Sequence, residues 1–128
     1  MGAMNAGKKS ERRISIRFDL ASGPRIGPGK IVLLEAIAET GSISAGARRL
    51  GMSYKKAWLL IDAFNNTFHE PVISTETGGE QGGGATLTET GKEILRLFKK
   101  LETEAGSATE ATRKAFDDLV KAPPGKKK

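Results

Sequence analysis

Arg48, Arg49, Lys55 and Lys56 fall within one short stretch that carries no carboxylate, with Ser53 and Tyr54 between the pairs. Cations interleaved with short hydroxyl donors suit the phosphates and base edges of a nucleic acid. A second group is the run Thr77-Gly78-Gly79-Glu80-Gln81-Gly82-Gly83-Gly84. Such a density of glycine carries an entropic cost, and one use for it is a loop whose backbone N–H groups lie close against phosphate oxygens. A nucleotide-binding P-loop would need Gly-Lys-Ser/Thr leading into a helix, whereas this run leads into Ala85-Thr86-Leu87. His69 is the sole histidine and cysteine is absent. No nucleophile–base or metal-ligand constellation surrounds it, so neither an enzyme nor a bound cofactor is expected.

The 128 residues hold 21 Lys and Arg against 15 Asp and Glu, a net charge of +6. That surplus favours polyanions. From Glu89 to Lys121 acidic and basic residues balance, so the positive field sits in the middle of the chain and at its ends. No apolar run is long enough to span a bilayer, and no signal-peptide core follows the N-terminal cations, so a cytoplasmic protein without membrane contact is expected. Residues 1–13 and 122–128 are polar and basic and are expected to be disordered tails flanking one domain over 14–121. The opening Met1-Gly2-Ala3-Met4 resembles an expression scar.

The elements that must position the cations follow from periodicity. Ile14, Ile16, Phe18 and Leu20 alternate with polar residues and predict a half-buried strand over 14–20. Pro28 suits the first turn of a helix running to Thr40, with Ile31, Leu34, Ile37 and Ala38 inward and Gly41 as its stop. Ser42 caps a short second helix reaching Leu50, and Ser53 caps a third from Tyr54 to about Phe68. On that third helix Tyr54, Ala57, Trp58, Ile61, Phe64 and Phe68 share a stripe, which predicts Trp58 in the core and leaves Tyr54 between core and surface. Residues 72–75 and 85–87 read as a hairpin around the glycine run. A long last helix opens at Thr88, carries Ile94, Leu95, Phe98 and Leu101 inward, and is expected to bend or break at Gly106-Ser107.

Ala47 and Gly51 complete the pattern. A helix-turn-helix needs a small residue where its helices cross and, four positions later, one that tolerates positive φ. The fold class is therefore mainly α (α+β): a winged helix-turn-helix with an N-terminal strand and a long C-terminal dimerisation helix. Its second helix would place Ser53, Tyr54, Lys55 and Lys56 in a major groove, with Arg48 and Arg49 on backbone phosphates.

The segments Gly41-Ser42-Ile43-Ser44, Gly51-Met52-Ser53-Tyr54-Lys55-Lys56-Ala57-Trp58, Thr77-Gly78-Gly79 and Gly82-Gly83-Gly84-Ala85 resemble the N-terminal DNA-binding domain of the ModE family. The resemblance runs over roughly 14–101. It implies a LysR-type-like winged helix, homodimeric, binding double-stranded DNA and regulating transcription of molybdenum-related genes. The contact set it implies is Ser42, Ser44, Arg48, Arg49, Ser53, Tyr54, Lys55 and Lys56, with Thr77, Gly78, Gly79, Gln81, Gly82 and Gly83 in the wing. Two departures stand out. The chain has no room for the family's molybdate-binding Mop domains, so a sensor, if any, is expected on a separate oxyanion-binding protein. Glu80-Gln81 stands where the family's wing usually has a lysine, which weakens the wing's attraction to phosphate. The alternatives are a winged helix that docks protein, whose mark would be an apolar recognition face, and a non-specific DNA-binding protein.

Overall fold

The alternation at the N-terminus produces a shorter strand than it predicts. Only Phe18–Asp19 (β1) pairs, antiparallel to Arg25–Ile26 (β2), with Phe18 opposite Ile26 and Asp19 opposite Arg25. The computed structural model describes residues 14–76 and 84–121. Between β1 and β2 the Leu20 N–H donates to Pro24 O (2.8 Å) and the Gly23 N–H to Leu20 O (2.8 Å), with Gly23 at φ 124°. Pro24 has no N–H with which to lengthen the ladder. Gly27 then turns the chain into a helix, so two residues are all that can pair. Phe18 is exposed where the alternation would bury it.

Helix α1 (Pro28–Thr40) begins with proline in its first turn and ends where Gly41, at φ 83°, donates its N–H to Ile37 O (2.8 Å). It buries Ile31, Leu33, Leu34, Ala36 and Ile37. Ala38, expected inward, is exposed. The buried arc is wider than one stripe because α1 packs against both the next helix and a strand of the second hairpin.

Helix α2 (Ile43–Arg49) crosses α1 at Gly46. A Cβ there would meet Ile37 Cγ1 at 2.8 Å and its backbone N at 3.1 Å, so only glycine lets the two helices approach this closely. Helix α3 (Tyr54–Thr67) follows. The second hairpin pairs β3 (Ile73–Glu76) with β4 (Gly84–Leu87), Ile73 opposite Leu87 and Glu76 opposite Gly84. The predicted hairpin is present, and Phe64, Leu33, Leu34, Ile37 and Val72 form the most deeply buried part of the core.

Helix α4 (Glu89–Asp118) is preceded by Thr88, whose Oγ1 accepts from the Gly91 N–H (3.0 Å) and donates to Pro71 O (2.7 Å). The expected break at Gly106-Ser107 does not occur: the helix is continuous. One interior glycine costs about 1 kcal/mol relative to alanine. Side-chain bonds across that turn oppose it. Arg113 donates from Nη2 to Gly106 O (2.8 Å) and from Nε to Thr109 Oγ1 (3.0 Å), and Thr109 donates to Ala105 O (2.7 Å). Lys100 and Glu104 add an i,i+4 ion pair. Ser15–Lys99 forms one compact unit, and residues 100–121 belong to another.

Two glycines of α4 should respond oppositely to alanine. A Cβ at Gly91 would fall 2.4 Å from the Val72 carbonyl oxygen, whereas one at Gly106 meets nothing within 4 Å. Gly91→Ala should lower the urea unfolding free energy by about 1–3 kcal/mol. Gly106→Ala should leave it unchanged or raise it by up to about 1 kcal/mol.

Candidate nucleic-acid interface

The turn between α2 and α3 is built on a buried alanine. Ala47 is 1% exposed, and its carbonyl accepts from the N–H groups of Leu50 (3.0 Å) and Met52 (2.9 Å). Gly51 takes φ 68° and donates its N–H to Arg48 O (3.1 Å). The spacing of Ala47 and Gly51 thus forms the turn that it predicts. Both expected caps are present: Ser42 Oγ accepts from the Ala45 N–H (2.9 Å) and Ser53 Oγ from the Lys56 N–H (3.0 Å). In accepting, each hydroxyl keeps its own proton to donate outward.

Two sets of hydrogen bonds, one to a side chain and one between backbone groups, tie the second hairpin to these helices. Asn65 on α3 accepts through Oδ1 from the N–H groups of Val72 (2.7 Å) and Ile73 (3.1 Å). On the other strand the Ala85 N–H donates to Gly41 O (2.8 Å), at the joint between α1 and α2. The hairpin is therefore held to α3 by the Asn65 carboxamide and to the α1–α2 corner by a main-chain bond.

On this frame Ser44, Arg48, Arg49, Ser53, Tyr54, Lys55 and Lys56 are exposed, and Ser42 is half-buried in its capping role. Arg49 is ion-paired with Glu39 of α1. Arg48, Lys55 and Lys56 make no ion pair with any carboxylate among the described residues. Thr77, Gly78, Gly79, Gln81, Gly82 and Gly83 lie outside the described residues. Where a carboxyl is perturbed it is on α4: the hydrogen bond from Arg96 holds Glu93 below its ordinary range. No three His, Asp or Glu side chains among the described residues are placed to share a metal ion, and His69 is exposed.

Trp58 corrects the sequence reading. It is 44% exposed, not in the core, and the neighbouring Leu59 is 52% exposed. The buried positions of α3 are Ala57, Ile61 and Phe64. At about 100° per residue Trp58 lies a quarter-turn from Ala57, on the flank of the buried arc. A stripe drawn wide enough to include Tyr54 takes in that flank as well, and Tyr54 is itself exposed.

Two short helices crossing through a glycine turn, the second backed by a hairpin, define a winged helix-turn-helix. The family model described as "Bacterial regulatory helix-turn-helix protein, lysR family" matches residues 29–92, and the chain belongs to that family. Among curated relatives, the molybdenum-pterin-binding protein MopA of Rhodobacter capsulatus is 43% identical over 97 residues, 76% of this chain and 36% of that protein. The molybdenum transport protein ModE of Azotobacter vinelandii is 37% identical over 108 residues, 84% of this chain and 39% of that one. The DNA-binding transcriptional dual regulator ModE of Escherichia coli K12 is 40% identical over 92 residues, 72% and 32%. The resemblance to ModE proteins is thus borne out, and the chain spans between about a third and two-fifths of these relatives' length. A solved structure of the CbnR_DBD–DNA complex shares the fold, with a TM-score of 0.51 at 22% identity, covering 68% of this chain and 94% of that one.

Replacing Asn65 with alanine should be costly, because it strands two backbone donors, one of them on the fully buried Val72. Asn65→Ala should lose about 2–3 kcal/mol in urea unfolding. It should also raise amide hydrogen exchange at Val72 and Ile73 ahead of the helices; unchanged exchange there would contradict the assigned bonds.

Proposed function

We propose that this chain binds duplex DNA as a homodimeric, sequence-specific transcriptional regulator, with α3 in the major groove and the wing against the adjoining backbone. The observation that carries this is the exposed first turn of α3. Lys55 and Lys56 stand there without a carboxylate partner among the described residues, beside Arg48 on α2. Such unneutralised cations on a helix held rigidly from behind suit phosphate and guanine-edge contacts. Membership in a bacterial regulatory family supports the reading, as does similarity to the DNA-binding transcriptional dual regulator of Escherichia coli.

The names of the relatives support molybdenum-related genes as targets. In this reading residues 14–121 are the DNA-binding domain. The basic stretches 1–13 and 122–128 add sequence-independent affinity. Ser42, Ser44, Arg49, Ser53, Tyr54 and the wing residues join Lys55, Lys56 and Arg48 in the contact set.

Titration against duplexes selected from the source genome tests it. Binding should weaken steeply as salt rises, and Arg48→Ala should reduce the log–log salt slope by about one, as loss of a phosphate contact does. Lys55→Ala and Lys56→Ala should each cost about 1–3 kcal/mol if the lysine reads a base edge, with relaxed sequence preference. Affinity insensitive to salt and to all three substitutions would refute the proposal.

A further inference from the structure

We infer that Trp58 and Leu59 read the C5-methyl groups of thymines, making the first half of α3 selective for A·T pairs as well as cationic; this rests on the DNA-binding reading above. Tyr54, Trp58 and Leu59 are 54%, 44% and 52% exposed, three large apolar side chains on one helix facing solvent. At about 100° per residue Tyr54, Trp58, Lys55 and Leu59 fall, in that angular order, within one arc of about 140°; its Tyr54 edge borders the buried Ile61, and Lys55 and Leu59 lie opposite Ala57 and Phe64. Leu59 lies about 7.5 Å along the axis from Tyr54, so the group fits a major groove about 12 Å wide.

The chemistry of this arc selects its occupant. An apolar protein surface seated on Trp58 and Leu59 would also bury the ammonium of Lys55 between them, and no carboxylate among the described residues pairs with it. A major groove satisfies both kinds of group at once. Thymine offers the only methyl on its floor, while guanine edges and phosphates accept from a lysine between the apolar contacts. The arc has an end as well. Asp62 lies one turn beyond Trp58, half-buried, and its carboxylate is repelled by phosphate. Contact is therefore confined to the residues before it.

Deoxyuridine provides the test, because replacing thymidine with it deletes only the methyl. The full chain is used to enrich duplexes from a randomised pool. Each thymine of the enriched site is then replaced singly by deoxyuridine, and affinities are measured for the native chain, Trp58→Ala and Leu59→Ala. We expect one or two positions at which the native chain loses about fourfold per methyl, the factor that ~0.8 kcal/mol of apolar burial gives at 25 °C. At those positions the loss should shrink toward none in one variant or the other. Both side chains are exposed, so folding should survive; if a truncation fails to melt cooperatively, Trp58→Phe or Leu59→Met is compared instead, and a changed methyl dependence is again the expected result.

The inference is overturned by salt-sensitive binding with no deoxyuridine-sensitive position, or by an enriched site without A·T pairs. Equal methyl losses in the native chain and the variants also overturn it. So does a variant that changes the sedimenting species while the methyl dependence stays, since the arc is then a contact between copies. A chain that enriches no duplex at low salt refutes the DNA-binding reading itself, and this inference with it.

Discussion

One carboxamide oxygen holds α3 to the second hairpin. Asn65 Oδ1 accepts from two successive backbone N–H groups, those of Val72 and Ile73, where the chain leaves α3 and enters β3. Val72 is fully buried, and its carbonyl accepts in turn from the Thr88 N–H (3.0 Å). Thr88 then caps α4 by accepting from Gly91. Three elements converge on one residue with its donor and acceptor both satisfied, and Gly91 is the small residue that makes the convergence sterically feasible. A buried peptide group without partners would cost more than most surface contacts supply, so this joint specifies where α3 points relative to β3 and β4.

Gly41 does comparable work on the opposite side. It ends α1 through a left-handed turn, and its carbonyl anchors β4 by accepting from Ala85. The frame beneath the candidate interface is thus assembled from main-chain bonds, the side-chain bonds of Asn65 and Thr88, apolar burial and glycine clearances, with no buried charge at all among the described residues. Stability and recognition are thereby separated. The cations of α2 and α3 sit on a scaffold that does not need them, and side chains there can diversify without unfolding it.

Much of this frame was legible in the sequence because it depends on residues with few conformational alternatives. Pro28 and Gly41 bracket α1, Ser42 and Ser53 cap their helices, and Ala47 with Gly51 sets the turn. Each is a local rule, so one chain suffices to read it. What could not be read depends on contacts between distant segments. Gly46 carries no local sign that Ile37 will press against it, and Asn65 looks like any polar residue on a helix until Val72 arrives seven residues later. The stripe on α3 failed at Trp58 for a related reason. Periodicity gives the centre of a buried arc but not its width, which is fixed by the neighbouring elements. At Gly106 the local rule overestimated its own strength, because bonds from Thr109 and Arg113 hold the turn that glycine weakens.

The charge pattern of α2 shows how such a surface can be graded. Arg48 and Arg49 are adjacent in sequence, yet only Arg49 is paired, with Glu39 on α1, and both partners are exposed. An exposed ion pair of this kind is worth about 0–1 kcal/mol. A phosphate can therefore displace the carboxylate at little cost, while in the free protein the pair restrains a long side chain that would otherwise lose more rotamer freedom on contact. Arg48 has no such partner among the described residues and keeps its full charge toward solvent. Neighbouring arginines of identical chemistry thus reach an approaching polyanion in different states, one free to attract at long range and one partly ordered for close contact. The apolar side chains of α3 add no long-range attraction of their own; in the proposed complex they act only once the cations have brought the groove within van der Waals reach.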